Sequence, residues 1–267
     1  MNETLVRALS GAVYVVLLVA ATLFSRESLL LLFGLFLLQT VNEFSKLIKI
    51  NTLLALLLAI LSFLNFSYFN NSNFNNWLLG GITVVTLLFL TNWLFMPKVQ
   101  NLNQLGWGLL VGYIIIPFIL ITKLGLLGGQ HYPHFIIGVF ILIWCNDTFA
   151  YLVGKQFGKR KLLEKISPKK TIEGFIGGVV FAVLASIFIG IYYVTLLPVT
   201  YWVIIALLTS FSGTIGDLVE SKFKRIAKVK DSGAIMPGHG GMLDRLDSII
   251  FAAPIVYLFL KIVSYVS

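Results

Sequence analysis

Five of the 11 acidic residues in this 267-residue chain fall in three places: Asp147, the pair Asp217 and Glu220, and the pair Asp244 and Asp247. Residues three apart share one face of a helix, so each pair makes a carboxylate stripe. Ser210, Thr214, Asp217 and Ser221 follow 4, 3, 4 spacing, and Trp144, Asp147, Thr148 and Tyr151 repeat the pattern with Asn146 beside them. Two basic stretches lie between these acids: 155–173 (KQFGKRKLLEKISPKKTIE) and 222–243 (KFKRIAKVKDSGAIMPGHGGML). In the second, Pro237-Gly238-His239-Gly240-Gly241 is a backbone that can turn its N–H groups inward as an anion nest ahead of a helix N-terminus. It is no Walker loop and no dinucleotide fingerprint. Carboxylates for a divalent metal, Lys and Arg, and a Gly-rich turn together describe a site for a nucleotide's phosphate chain. The chemistry this supports is metal-dependent phosphoryl or nucleotidyl transfer. Helix capping and interfacial solvation account for Asp244 and Asp247 equally well. They do not account for Asp147 and Asp217, which stand near the C-terminal ends of their helices, where the dipole disfavours anions. The single Cys145 reads as packing rather than as a nucleophile.

The elements that must position these groups are membrane spans. The chain is 58% hydrophobic and only 12% charged, too little charge to cover a water-soluble globule. Nine apolar segments approach the roughly 20 residues needed to cross the hydrocarbon layer: 9–24, 29–48, 53–69, 77–96, 105–124, 135–153, 175–197, 201–218 and 246–266. Asn42 and Glu43 interrupt the second, and Pro117 and Pro254 are expected to kink rather than end theirs. The first could instead be a signal peptide, with Arg7 ahead of the apolar run and Ala20-Ala21 behind it.

With nine spans and a cytoplasmic N-terminus, 17 of the 20 Lys and Arg lie on the inner side; Arg26, Lys123 and Lys261 lie outside. The net charge of +9 is thus topological and implies no nucleic acid. Trp77, Tyr132, Tyr193, Tyr201 and Trp202 sit where an outer aromatic belt would, near the uncharged loops 70–76 and 198–200. The expectation is one all-α, polytopic membrane domain over 1–267, multi-pass in the cell (inner) membrane. Hydrophobic helices fill 1–130, catalytic helices and cytoplasmic loops fill 131–267, and the site lies at the cytoplasmic side of the last helices. Acids gathered at one face argue against a transporter, whose ion pathway threads the midplane.

The 27 residues from Ser221 to Asp247 closely resemble the signature of the bacterial phosphatidate cytidylyltransferases, or CDP-diacylglycerol synthases. Ser221, Phe223, Lys224, Arg225, Lys230, Asp231, Gly233, Pro237, His239, Gly240, Gly241, Met242, Asp244, Arg245, Leu246 and Asp247 fall in place. Met236 departs from the family's Leu, Ile or Phe. The segments 146–151, 166–174 and 216–221 are also similar, and Glu43 is a candidate for a family acidic position. The resemblance implies transfer of CMP from CTP to phosphatidic acid, giving CDP-diacylglycerol and pyrophosphate, with magnesium, in phospholipid synthesis. A related enzyme using CTP on another lipid phosphate, such as an ether lipid, is the alternative, and a homodimer is left open. On this reading Asp217, Asp244 and Asp247 are the metal carboxylates, joined by Asp147 and Glu220, with Lys230 also in the catalytic group. Lys169, Lys170, Ser221, Lys224, Arg225, Asp231, His239, Gly240, Gly241 and Arg245 would bind substrate. Room remains for a second cation.

Overall fold

The computed structural model describes residues 3–69, 73–96, 102–127, 130–238 and 240–266. Helices α1 (Glu3–Phe24) and α2 (Arg26–Leu47) are joined by Ser25, whose hydroxyl accepts from the Ser28 amide while Ser28 reciprocates to the Ser25 amide. This capping box satisfies otherwise orphaned donors where the chain turns back. Asn51 caps α3 (Thr52–Phe63) by accepting from the Leu54 amide at 3.1 Å, and a π-helical turn, Leu64–Phe69, extends it. Then follow α4 (Asn73–Phe95), the short α5 (Gly106–Leu109) and α6 (Ile116–Leu124). A π stretch, Leu110–Ile115, joins α5 to α6, and the Ile116 amide reaches back five residues to the Val111 carbonyl. The wider register sits just before Pro117, which cannot donate to the helical ladder. Pro117 therefore re-registers its span, and Pro254 lies inside a continuous helix.

The second half holds α7 (Pro133–Phe157), a hairpin of β1 (Lys161–Leu163) and β2 (Ser167–Thr171), α8 (Ile172–Phe188), α9 (Val199–Ile226) and α10 (Leu243–Val266). By length and composition, eight helices among the described residues can cross a membrane, and Ala8–Phe24 is a shorter apolar stretch. The chain is an all-α, multi-pass membrane protein, and among the described residues its sheet is one antiparallel hairpin.

Three expectations change. The basic stretch after α7 is not an irregular loop but this hairpin, and Thr171 at its end caps α8 by accepting from the Gly174 amide. Trp202 is not an interfacial aromatic. It is fully buried, its indole N–H donates to the Val194 carbonyl at 3.0 Å, and its ring fills space that Gly138 of α7 leaves open. A buried indole needs one such acceptor, and the chain reversal after α8 provides it. The uncharged stretch 70–76 is helical from Asn73 onward, and 70–72 lies outside the described residues.

The helices that carry the acids pack most extensively on one another: α7 on α8, α9 on α10, and α8 on α9. Close approach of α7 and α8 depends on Gly177, where a Cβ would stand 2.7 Å from that of Val153. This layer frames a hollow.

Candidate active site

That hollow is a cavity of about 940 Å³, walled by α1, α7, the hairpin, α9 and α10. The α7 stripe faces it as a unit, since Trp144, Asp147, Thr148 and Tyr151 all line it, with Asn146 beside them. From α9 come Thr214 and Asp217, and from α10 come Asp244, Arg245 and Asp247. The hairpin adds Lys161, Lys169 and Lys170, and α7 adds Lys155. Residues 70 to 100 positions apart in sequence thus meet around one space. Among the basic residues expected to bind substrate, Lys169, Lys170 and Arg245 are on its wall.

Lys170 is the electrostatic centre of the wall. Its ammonium pairs with Asp217, and Asp147 and Asp247 lie within electrostatic reach. Burial alone pulls an ammonium toward neutrality, but these three carboxylates, Asp217 first, outweigh it and hold Lys170 above the ordinary lysine pKa. The Ser221 hydroxyl donates to Asp217 at 3.3 Å from one turn further along α9, and the Ser248 amide donates to Asp247 at 2.8 Å.

A second set of acids, of which only Asp244 reaches the cavity wall, is engaged by the protein's own donors. Lys224 sits between Glu220 and Asp244, at 2.5 and 2.6 Å. The other oxygen of Asp244 accepts from the Ser232 amide, the Ser232 hydroxyl and the Gly241 amide, each at 2.8 Å. Glu43, buried in α2, accepts from the amides of Met242 at 3.0 Å and Leu243 at 2.9 Å. The Gln39 amide group donates to it at 2.7 Å, and the single proton of the Ser232 hydroxyl is shared between Asp244 and Glu43, the latter at 3.0 Å. A carboxylate from the second span therefore caps the last helix about 200 positions away. The glycine-rich turn does hold anions, but they are the chain's own: Glu43 and Asp244 take the amides of residues 241–243. Gly241 needs its lack of a side chain here, because a Cβ would collide with Glu43 and with the Ser232 hydroxyl. Gly240, at φ +83°, provides the left-handed turn.

Glu220, Ser221 and Lys224 are buried behind the cavity. Arg225 is exposed and donates to the Val229 carbonyl at 3.2 Å, and Lys230 and Asp231 are exposed on the turn. His239 lies outside the described residues. Glu43 was legible as an acid interrupting an apolar span and, through the resemblance, as a candidate family acid, but its capping role had no local signal. Lys222 acts similarly in the opposite sense: its ammonium donates to the carbonyls of Trp93, Leu94 and Met96 at the end of α4 and lies 4.4 Å from the Trp93 ring centroid.

For a metal, the donors available at the cavity are hard carboxylate oxygens, which suit magnesium. Among the described residues, no three His, Cys, Asp or Glu converge into a ready-made cage. Magnesium commonly takes only one or two carboxylates and completes its shell with waters and substrate phosphates, so the residues fit it in that manner. Asp147, Asp217 and Asp247 are the acids with oxygens left for this role, whereas those of Asp244 are already engaged.

The model of the Cytidylyltransferase family matches residues 5–263. A Bacillus subtilis (strain 168) protein named phosphatidate cytidylyltransferase is 42% identical over 183 residues, 67% of this chain and 66% of that protein. Proteins of the same name are 47% identical over 129 residues in Staphylococcus aureus (strain COL) and 44% over 127 in Staphylococcus saprophyticus. Each of these two alignments covers 48% of this chain and 49% of the relative. The chain thus spans about half to two-thirds of the length of these curated relatives. The cavity, its acids and the glycine turn all lie within the stretch that the family model matches, and the chain belongs to the cytidylyltransferase family.

Proposed function

We propose that this protein transfers CMP from CTP to phosphatidic acid, releasing pyrophosphate and leaving CDP-diacylglycerol for phospholipid synthesis. One observation carries the reading: a single polar cavity in a membrane helix bundle, where Asp147, Asp217 and Asp247 meet Lys169, Lys170 and Arg245. Acids and bases in that mixture suit two anionic substrates and a cation. The names of the relatives and the resemblance of residues 221–247 support the same choice.

The reaction asks little of a general base. The second pKa of a phosphate monoester is about 6, so the lipid phosphate is mostly dianionic at neutral pH. One of its oxygens attacks the α-phosphorus of CTP as the bond from that phosphorus to the bridging oxygen breaks, and pyrophosphate leaves with the electron pair. The protein's work is in-line positioning and screening of mutual repulsion. Lys169, Lys170 and Arg245 neutralise phosphate oxygens, and Lys155 and Lys161 extend the positive field toward the mouth. Asp147, Asp217 and Asp247 would hold magnesium, which when bound supplies positive charge to the leaving pyrophosphate. Lys170 screens the carboxylates' mutual repulsion and stays charged because they surround it. The bias of basic residues toward one side supports a cytoplasmic N-terminus and a cavity mouth that opens to the cytoplasmic side of the inner membrane.

The test uses purified protein in detergent with magnesium, supplied with ester or ether phosphatidate and each of CTP, ATP, GTP and UTP. The expected result is a cytidine-linked lipid and equimolar pyrophosphate from CTP and ester phosphatidate alone. Product from another nucleotide, or none from any, overturns the reading.

A further inference from the structure

Tyr14, in the middle of α1, is a buried group with no role in the chemistry above. It is 8% exposed and lies on the cavity wall. Its ring stacks on Phe36 with centroids 6.0 Å apart, so packing fixes where the hydroxyl points. Among the described residues that hydroxyl has no hydrogen-bond partner. Buried tyrosine hydroxyls nearly always find a partner, because an unmade bond costs the full desolvation of the group. Arg245 and Asp247 are both within electrostatic reach of it.

The missing partner is therefore an acceptor that arrives in the cavity and tolerates a neighbouring guanidinium. An anionic phosphate oxygen satisfies both conditions. The position of α1 narrows the source. Its outer face presents Leu9, Val13, Val16 and Leu17, all at least half exposed, so α1 is a partition with acyl chains on one side and the cavity on the other. A substrate that stays anchored in the bilayer while its phosphate reaches inward passes this partition; a nucleotide arrives from water.

We infer that Tyr14 is a substrate-binding residue whose O–H donates to a phosphate oxygen of the lipid substrate, with Arg245 supplying the charge. This rests on the functional reading above. It gives the N-terminal half of the chain a direct contact with substrate, in addition to the Glu43 clamp.

Tyr14→Phe removes the hydroxyl and keeps the ring on Phe36. Three measurements decide the matter. The melting temperature of the unliganded variant in detergent should equal or exceed that of the parent, since an unpartnered hydroxyl is lost. The KM for dioctanoyl phosphatidate should rise about tenfold, as expected for loss of a hydrogen bond to a charged group, while the KM for CTP stays within about twofold. Thermal stabilisation by dioctanoyl phosphatidate without nucleotide should shrink, whereas dioctanoylglycerol, which lacks the phosphate, should give no Tyr14-dependent effect. A lowered unliganded melting temperature, an unchanged KM for phosphatidate, a rise confined to CTP, or an equal Tyr14-dependent effect of dioctanoylglycerol overturns the proposal. Should the parent form no cytidine-linked lipid, the functional reading fails, and the nucleotide-free stabilisation still decides the role of Tyr14.

Discussion

Two groups of carboxylates stand within one helix bundle, and their partners separate them. Asp147, Asp217 and Asp247 face an open cavity and share the single ammonium of Lys170. Glu43, Glu220 and Asp244 are taken up by backbone amides, the Ser232 hydroxyl and Lys224. The first group has fewer protein donors than it has oxygens, so capacity remains for a cation and its waters. In the second group Glu43 and Asp244 are saturated with donors and Glu220 is buried against Lys224, so removing a member strips partners from others. Residue type does not distinguish a site from a brace; the accounting of donors does.

That contrast can be broken at several points. The largest effect is expected in the open group. Asp217→Asn and Asp247→Asn should each lower the rate of pyrophosphate release by roughly 100-fold or more. Their melting temperatures in detergent should stay near the parent's, because each substitution relieves repulsion among the acids. Next comes Lys224→Met, which strands Glu220 without its ion-pair partner. Leaving a buried charge unpaired costs about 3–5 kcal/mol, to be read as a large fall in melting temperature and yield. Adding Glu220→Met should recover part of that loss, since Asp244 keeps three other donors. Glu43→Ala should cost about 2 kcal/mol by orphaning the Met242 and Leu243 amides, with Glu43→Gln, which keeps an acceptor, milder in the same melting assay. The smallest effect belongs to Lys222→Met, which removes the cap on α4 and should cost about 1 kcal/mol without changing magnesium dependence.

The contrast also shows how far the chain could be read in advance. The spans were legible because the bilayer demands long apolar runs, and the stripes on α7 and α9 were legible because lipid cannot face them. Asp147 and Asp217 could therefore be assigned to one cavity before any coordinates. The glycine turn was legible as a binder of anions but not as a turn already filled by Glu43 and Asp244. Nothing local connects Glu43 to residues about 200 positions later, since only packing of α2 against the last helix brings them together. The β1–β2 hairpin was hidden because the charge of a basic stretch, read as topology or as phosphate binding, carries no mark of strand pairing. Trp202 was misplaced because aromatic residues at span ends serve interfaces and cores alike, and only the gap at Gly138 decides between them.

The most direct test of the division is turnover per folded molecule across a magnesium titration, comparing Asp247→Asn with Glu43→Gln below the melting temperature of each. Asp247→Asn should remain at least 100-fold slow at saturating magnesium, and Glu43→Gln should keep a rate within a few-fold of the parent with an unchanged magnesium midpoint. Equal rates for the two variants, whether both fast or both slow, would contradict the assignment of these acids to separate roles.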